Sequence, residues 1–463
     1  MMNLHEAALA IGAAAPAENP HFSAISTDTR KVGRGELFVA LRGENFDGHD
    51  FVDAATERGA IAAIVGADWA STHQAAVPLL AAEDTRRAFG LLAAHWRQKF
   101  EIPLIGVTGS NGKTTVKEMI AGCLRAQAAA DGLDPDLVVL ATSGNLNNDI
   151  GVPTMLLRLT AAHRAAVIEM GMNHPGEIAY LTRLAKPTVA IVNNAQRAHL
   201  EGMGDLAEVA REKGDIYDGL GASGVAVVNA DDAYADYWRE INRARRVVSF
   251  GIDQPADVSA KVRQQGLASA IKLHSTQGDA DFVLNVPGQH NARNALAAAA
   301  AALASGVTLR AVVDGLSRCV GVKGRLQLRA AAGGTQLIDD TYNANPDSMK
   351  AAIDVLATTA GRKLLVLGDM GEIGAQAGQY HDEIGGYAKS QGIDKLFALG
   401  DLSELAARNF GAGGRHFRNV DDLLAALRKE LGPDTVVLVK GSRFMRMERV
   451  ADAIAVDQET KVR

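Results

Sequence analysis

The string Gly106-Val-Thr-Gly-Ser-Asn-Gly-Lys-Thr-Thr115 carries the clearest chemistry in this chain. It follows the apolar run Ile102-Pro-Leu-Ile105 and opens onto Val116-Lys-Glu-Met-Ile-Ala-Gly-Cys-Leu124, which has helical spacing. The order is strand, glycine-rich loop, helix. Small residues over Thr108, Gly109, Ser110, Asn111 and Gly112 let several backbone N–H groups turn toward one phosphate chain. The helix N-terminus adds a favourable dipole, and Lys113 adds a mobile positive charge. Thr114 or Thr115 can offer a hydroxyl to Mg2+. The usual phosphate-loop motif puts its first glycine where Val107 stands; here the glycine is one residue earlier, at Gly106. A glycine-rich turn that binds nothing would not need a lysine and two threonines at its end.

Other residues fall where ligands bind in open α/β sheets, beyond the C-terminal ends of strands. Glu169 closes the apolar run Ala165-Ala-Val-Ile168 and precedes a loop containing Gly171 and Gly176. Beside a phosphate loop it is a hard oxygen donor suited to Mg2+; otherwise it is a surface carboxylate at a strand end. The next strand ends in Asn193-Asn-Ala-Gln-Arg-Ala-His199-Leu-Glu-Gly-Met-Gly204, so His199 is either a satisfied polar residue or a ligand in the same crevice. Lys213 lies in Val209-Ala-Arg-Glu-Lys-Gly-Asp-Ile-Tyr217, on a predicted helix, and by composition is a solvated lysine. Arg325, in Gly321-Val-Lys-Gly-Arg325, sits at a predicted domain junction. Its guanidinium could reach a phosphate across the cleft or form an ordinary interdomain ion pair. Ile338-Asp-Asp-Thr-Tyr-Asn-Ala-Asn-Pro-Asp-Ser348 reads as a strand, a polar loop and a capped helix start. Lys440-Gly-Ser-Arg443 offers two positive charges beside a glycine, which suits a carboxylate. Gly368-Asp-Met-Gly-Glu-Ile-Gly374 lacks the dinucleotide-binding spacing and is set aside.

These residues need a scaffold. The chain has 463 residues, 47 % of them apolar, enough for two to four domains with their own cores. The first hundred residues hold short runs such as Leu37–Leu41 and Ile61–Val65, then a helical stretch from Arg86 to Phe100. From residue 101 to 324, strand-like runs alternate with helices: Leu137–Leu140, Ala165–Ile168, Val189–Val192 and Gly224–Val228. That alternation predicts a mostly parallel sheet flanked by helices. Gln289-His-Asn-Ala-Arg-Asn294 then leads into an alanine-rich helix to Ala304, with Asn291 as predicted N-cap and Gly306 as C′ residue. From 325 to 463 the pattern restarts, with strands predicted at Gln336–Ile338, Lys363–Leu367, Lys395–Leu399 and Thr435–Val439. The expectation is an α/β protein of three domains: residues 1–100, 101–324 and a Rossmann-like 325–463.

Charge and cysteine content narrow the function. The net charge of −6 and the lack of a basic block argue against nucleic-acid binding. Cys123 and Cys319 show no ligand spacing and read as small apolar residues in a reducing compartment. The N-terminus lacks a basic leader, and no segment reaches the ~18 apolar residues of a membrane helix. A cytoplasmic protein with no membrane insertion is expected.

Taken together, the loop Gly106–Thr115, Glu169, His199, Lys213, Asn291–Asn294, Arg325 and Asp340 resemble the Mur ligase family, ATP-dependent amide-bond-forming ligases of peptidoglycan synthesis. The match spans nearly the whole chain. Within the family, three strings resemble members that join D-alanyl-D-alanine to UDP-N-acetylmuramoyl-tripeptide: Ile338–Met349, Gly144-Asn-Leu-Asn-Asn148, and Ser26-Thr-Asp-Thr-Arg30 with Asp47-Gly-His-Asp50. The Asp-Asn-Pro-Arg string of the ligase adding the third amino acid is absent. Folylpolyglutamate synthetases share the loop but not Tyr342–Met349. A sister ligase that adds one amino acid, such as the third-residue ligase or a folylpolyglutamate synthetase-like ligase, is the alternative enzyme, and a nucleotide-driven switch is the alternative class.

The resemblance implies ATP and Mg2+, with the first domain on the UDP end, the second on ATP and the third bringing the dipeptide. It assigns Lys113, Glu169, His199, Lys213 and Arg325 to catalysis, and Thr114, Glu169 and His199 to the metal. Asn291, Asn294 and Asp340 would serve the nucleotide with the loop, and Arg325 the γ-phosphate. Substrate contacts would come from Thr27, Arg30, Asn45 and Asp47, then Thr142, Asn145 and Asn147. In the third domain they would come from Asn343, Asn345, Ser348, Lys440, Ser442 and Arg443. In the family the Lys213 position is often carbamylated by CO2. A monomer is expected.

Overall fold

The structure, a computed structural model, describes residues 1–198 and 200–456. His199 therefore lies outside the described residues. The apolar runs form three main sheets. In the first, Ile25–Ser26, Glu36–Val39, Ala60–Gly66 and Leu79–Ala82 pair in that order, all parallel. The helix predicted from Arg86 spans Thr85–Arg97, because the Asp84 carboxylate caps it by accepting from the N–H groups of Arg86 and Arg87. At its far end the buried Arg97 guanidinium donates to Ala185 O at 3.1 Å, fastening this domain to the next.

The middle sheet has nine strands. Its parallel part runs Val139–Ala141, Ala165–Glu169, Leu104–Thr108, Val189–Val192, Val225–Asn229, Arg246–Gly251 and Val258–Gln265. Ala268–Ser275 and Gly278–Leu284 extend one edge antiparallel. The run predicted as a strand from Leu137 begins instead as a helical turn, Pro135–Val138, because Asp134 caps it and Pro135 fits its first position. Register explains where the site lies. Val107 pairs with Glu169, and Thr108 with Val192. The phosphate loop, Glu169 and Asn193 therefore leave adjacent strands at the same edge.

Two helices, Lys113–Ala130 and Gln289–Ala304, pack on one face of this sheet. Ala297 to Ala302 are completely buried there, so small side chains let the helix sit close. Asn291 is not its N-cap. Gly288, at φ +97°, turns the chain into the helix, and Asn291 lies in the first turn, donating to Pro287 O at 2.7 Å. Gly306 does follow the helix end at φ +97°.

The third sheet starts with Gln327–Ala330, antiparallel to Gln336–Asp340. Thr435–Lys440, Arg362–Gly368, Lys395–Leu399 and Gly414–Phe417 then continue it in parallel. Helix Pro346–Ala357 opens on the predicted cap: Asn345 and Ser348 bond each other's backbone reciprocally. Among the described residues no helix is long and apolar enough to cross a membrane.

Candidate active site

The phosphate loop bends on glycines in backbone regions that other residues avoid: Gly109 at φ +154° and Gly112 at φ +79°. A Cβ at Gly112 would stand 2.5 Å from Asn294 Oδ1 and 2.7 Å from Asn193 Nδ2. Behind the loop runs a chain of amides. Asn294 Nδ2 donates to Asn291 Oδ1, and Asn193 Nδ2 donates to Asn294 Oδ1 and Asn111 O, all at 2.9 Å. Ser110 N donates to Asn194 O at 2.9 Å, and Gln196 N to Ser110 Oγ at 2.9 Å. The result is a rigid cradle with no room for side chains, a shape that suits a phosphate chain.

Lys113 begins the helix and folds over the loop, donating from Nζ to Gly109 O at 2.7 Å and Ser110 O at 3.3 Å. Burial holds its ammonium below the usual lysine range, and the Glu169 charge opposes that shift. Thr108 is buried beneath the loop and donates to Met170 O at 2.8 Å. Thr114 and Thr115 line the cleft above.

Glu169 is buried. Its N–H donates to Thr142 Oγ1 at 2.9 Å, and its Oε1 accepts from Asn147 Nδ2 at 2.8 Å. Among the described residues its buried Oε2 has no hydrogen-bond partner. A buried carboxylate oxygen left unpaired costs free energy unless something meets it. Glu169 and the Thr114 hydroxyl, in one cleft, form a hard-oxygen set that fits Mg2+. No cluster of three or more His, Cys, Asp or Glu suited to a metal occurs among the described residues, so these mixed donors are the fit. Thr142 and Asn147 are thus placed around Glu169.

Arg325 enters from the start of the third domain. Its Nη2 donates to Thr114 Oγ1 at 2.9 Å, and its guanidinium sits 4.1 Å from the centre of the Tyr342 ring. Among the described residues it forms no ion pair there, and its buried Nε has no partner. Lys213 is not the solvated lysine that its composition suggested. It is buried on helix Leu206–Gly214, its ammonium pushed well below the usual range by burial and by the Lys113 charge. The neighbouring Glu212 carboxylate accepts from Gly176 N and Ile178 N at 2.7 and 3.0 Å.

The cleft holds about 540 Å³ between the middle and third domains. Asn291, Asn294, Asp340, Asn343, Asn345, Ser348 and Lys440 also line it. Lys440 already meets a carboxylate: Nζ donates to Asp340 Oδ2 at 2.6 Å and to Asn343 O at 2.9 Å. Asp340 Oδ1 accepts from Leu326 N at 3.1 Å, so this pair holds the chain just after Arg325. Asn345 Nδ2 crosses to Asn111 Oδ1 at 2.7 Å.

Other predicted contacts lie apart from this cleft. Ser442 is buried, donating to Ala344 O and accepting from Gly371 N. Arg443 is exposed and pairs with Glu448 at 3.0 Å. Asn145 and Asn45 are exposed, Thr27 is half-buried, and Arg30 pairs with Asp28 at 2.9 Å. Asp47 accepts from His49 and Arg42. The first domain does reach the cleft rim, where Arg86 pairs with Asp149 at 3.0 Å.

Sequence reasoning missed several lining residues. Asn193, Asn194 and Gln196 stand just after a strand, a signal that could have found them. Arg293, bonded to Asp231 and Asp253, closes the far end with them, and only the tertiary fold joins these.

Models of known families cover most of the chain. Residues 21–97 match the Mur ligase family catalytic domain, 107–302 the Mur ligase middle domain, and 324–443 the Mur ligase glutamate ligase domain. The chain is 42 % identical over 93 % of its length to UDP-N-acetylmuramoyl-tripeptide–D-alanyl-D-alanine ligase of Escherichia coli, covering 93 % of that protein. It is 43 % identical over 94 % to the enzyme of that name from Haemophilus influenzae, covering 93 % of it. Among solved structures, MurF from Acinetobacter baumannii superposes with TM-score 0.89 at 36 % identity, covering 98 % of both chains. MurF ligase from Thermotoga maritima in complex with ADP gives 0.80 at 26 %, covering 93 % of this chain and 96 % of that one.

Proposed function

The chain belongs to the Mur ligase family, and from that premise we propose that it joins D-alanyl-D-alanine to UDP-N-acetylmuramoyl-tripeptide in peptidoglycan synthesis. ATP drives the reaction, and ADP and phosphate leave. The observation that carries the reading is the glycine cradle at Gly109–Thr115, faced by a buried Glu169 oxygen with no partner among the described residues and overhung by Arg325, in a chain aligned nearly end to end with ligases of that name.

The tripeptide carboxylate attacks the γ-phosphate, giving an acyl phosphate and ADP. The dipeptide amine then attacks the acyl carbon, phosphate departs, and the amine loses a proton. The first step brings two anions together, and Lys113 and Arg325 supply opposing charge from two domains. Glu169 and Thr114, with His199, would hold Mg2+, which when bound screens carboxylate from triphosphate. An acyl phosphate hydrolyses if wet, so the third domain excludes water as it docks. Asn291, Asn294 and Asp340 serve the nucleotide end.

In this reading residues 1–100 take the UDP end, 101–324 the ATP, and 325–463 the dipeptide through Asn343, Asn345, Ser348 and Lys440. Thr27, Arg30, Asn45, Asp47, Thr142, Asn145 and Asn147 serve the UDP-tripeptide, with Ser442 and Arg443 at the dipeptide side. Lys213, buried where its ammonium is disfavoured, would as the neutral amine take up CO2 and release a proton, giving a carbamate whose oxygens could serve Mg2+. The enzyme works as a cytoplasmic monomer. The test is ADP release, with mass detection of product, using the UDP-tripeptide and either D-alanyl-D-alanine or single amino acids. Product should form only with the dipeptide. Turnover with a single amino acid points to a sister ligase, and turnover with no acceptor to a nucleotide switch.

A further inference from the structure

Arg197 has no part in the chemistry above, yet it is bound more densely than any surface arginine needs. It lies in the loop that follows strand Val189–Val192, in the middle domain. Its backbone N donates to Asp347 Oδ2 at 2.8 Å, and Nε and Nη2 donate to Asp347 Oδ1 at 3.0 and 2.6 Å. Its Nη1 donates to Glu383 Oε2 at 3.1 Å. The guanidinium lies 5.2 Å from the centre of the Tyr380 ring. Asp347 is in the first turn of helix Pro346–Ala357, and Glu383 is on helix Ala377–Ser390. Both helices belong to the third domain. Lys350 also pairs with Glu383, so two cations balance two carboxylates.

We infer that Arg197 is a positioning residue for ligation: an ionic latch that fastens the third domain against the phosphate loop. The inference rests on the proposed function, since its consequence is docking of the dipeptide domain. The side chains of Arg197 and Asp347 are only 26 % and 25 % exposed, so water screens this pair less than an open surface pair. The latch is also wired to the nucleotide cradle. Ser110 Oγ donates to Gln196 O, and Asn111 Nδ2 donates to Gln196 Oε1 at 2.7 Å, one residue before Arg197. Asn111 in turn accepts from Asn345, the cap of the helix that carries Asp347. Two routes thus run from the phosphate loop to one helix start: Asn111 to Asn345, and Ser110 through Gln196 and Arg197 to Asp347. Whatever fixes Ser110 and Asn111 also fixes the seat of the third domain.

Arg197 itself does not line the cleft, so its loss acts through domain docking. In Arg197→Ala the KM for D-alanyl-D-alanine should rise at least ~10-fold while kcat falls less than ~3-fold, because only the docked population is taxed. ADP affinity by calorimetry should stay within ~2-fold, since the cradle keeps its own bonds. The wild-type dipeptide KM should climb with NaCl, and that of the variant should not. Free Arg197→Ala should show a larger radius of gyration by X-ray scattering. Glu383→Gln, which removes one partner on the outer helix, should shift the same readings less and guards against misfolding of the first variant. A folded Arg197→Ala with unchanged KM and unchanged salt dependence overturns the latch. So does a KM rise matched by equal loss of ADP affinity. The scattering needs no substrate, so a wild type that fails to ligate the dipeptide sinks the proposed function while leaving the latch open to test.

Discussion

Replacing Gly112 by Ala separates the cost of backbone strain from the cost of filling the cradle, because the same helix carries a matched control. Gly112, at φ +79°, precedes helix Lys113–Ala130, and Gly132, at φ +74°, follows it. Both hold left-handed backbone, where a Cβ costs about 1–2 kcal/mol. A Cβ at Gly132 would meet nothing within 4 Å among the described residues. At Gly112 the Cβ meets Asn294 Oδ1 at 2.5 Å and Asn193 Nδ2 at 2.7 Å. Those amides are bonded to each other and are 6 % and 2 % exposed, so they cannot swing into water. Parting them loses a hydrogen bond and leaves a buried group unpaired, about 1–3 kcal/mol more. Gly132→Ala should therefore destabilise by ~1–2 kcal/mol and Gly112→Ala by ~2–5 kcal/mol in urea unfolding. The functional contrast is sharper. Gly112→Ala should weaken ADP binding ~100-fold or more in calorimetry, equivalent to ~2.7 kcal/mol, whereas Gly132→Ala should leave it alone. Equal unfolding costs together with equal ADP affinities would refute the cradle argument.

Lys113→Ala should fold and should lose ~10²–10³ in ligation rate, the usual worth of a group that stabilises transition-state charge; near-normal ligation counts against the loop assignment. Lys213→Ala should regain part of its activity with acetate or propionate, which restore a carbamate's negative charge, whereas rescue by short alkylamines alone would overturn the carbamate. D-alanyl-D-alanine alone should bind the free enzyme weakly, because its competent state is sparsely populated; tight calorimetric binding would contradict this. Asp215 tests pH dependence: burial, with Glu212 and Asp218 adding, pushes its carboxyl up to about 6. A raised folded-state value means that the proton is held more tightly in the native form. That contribution is complete below the ordinary aspartate range and is lost as pH rises through about 6. Asp215→Asn should therefore gain ~1 kcal/mol over wild type at pH ~8, after discounting for solvent screening, and nothing at pH ~4. Equal shifts in melting temperature at both pH values would show that the carboxyl is not strained.

The central strands were legible because they are buried on both faces, and such strands read as unbroken apolar runs. Val189–Val192, Lys395–Leu399 and Thr435–Lys440 are of this kind. The antiparallel edge was not legible. In Ala268–Ser275, Ile271 and Leu273 point inward while Lys272 and His274 face water. Val258–Gln265 ends in Arg263, Gln264 and Gln265, all exposed, so it lacks even that alternation. Helix starts went the same way. Asn345 with Ser348 is a local signal and was found, whereas Gly288 displaced Asn291 as cap through a backbone angle that sequence does not display.

At the site, legibility followed sequence distance. The phosphate loop is local, and Glu169 could be placed in the cleft because it closes a strand. The interactions that complete the site join residues far apart: Asp340 to Lys440, and Thr114 to Arg325. Sequence offers no measure of burial for a single lysine, so Lys213 looked solvated on a helix that hides it completely. Lys440 shows the converse. Its type was right for a carboxylate, but Asp340 of its own sheet supplies one, across paired strands. Lysines thus meet three settings here: Lys113 faces the phosphate loop, Lys440 fixes the chain after Arg325, and Lys213 is buried where its ammonium is held below the usual range. What separates them is the charge each meets after folding. Arg197 fits the same rule, since only the docked third domain brings Asp347 and Glu383 to it. Its partners appear when the domains meet, which makes it a reporter of docking rather than of folding within the middle domain.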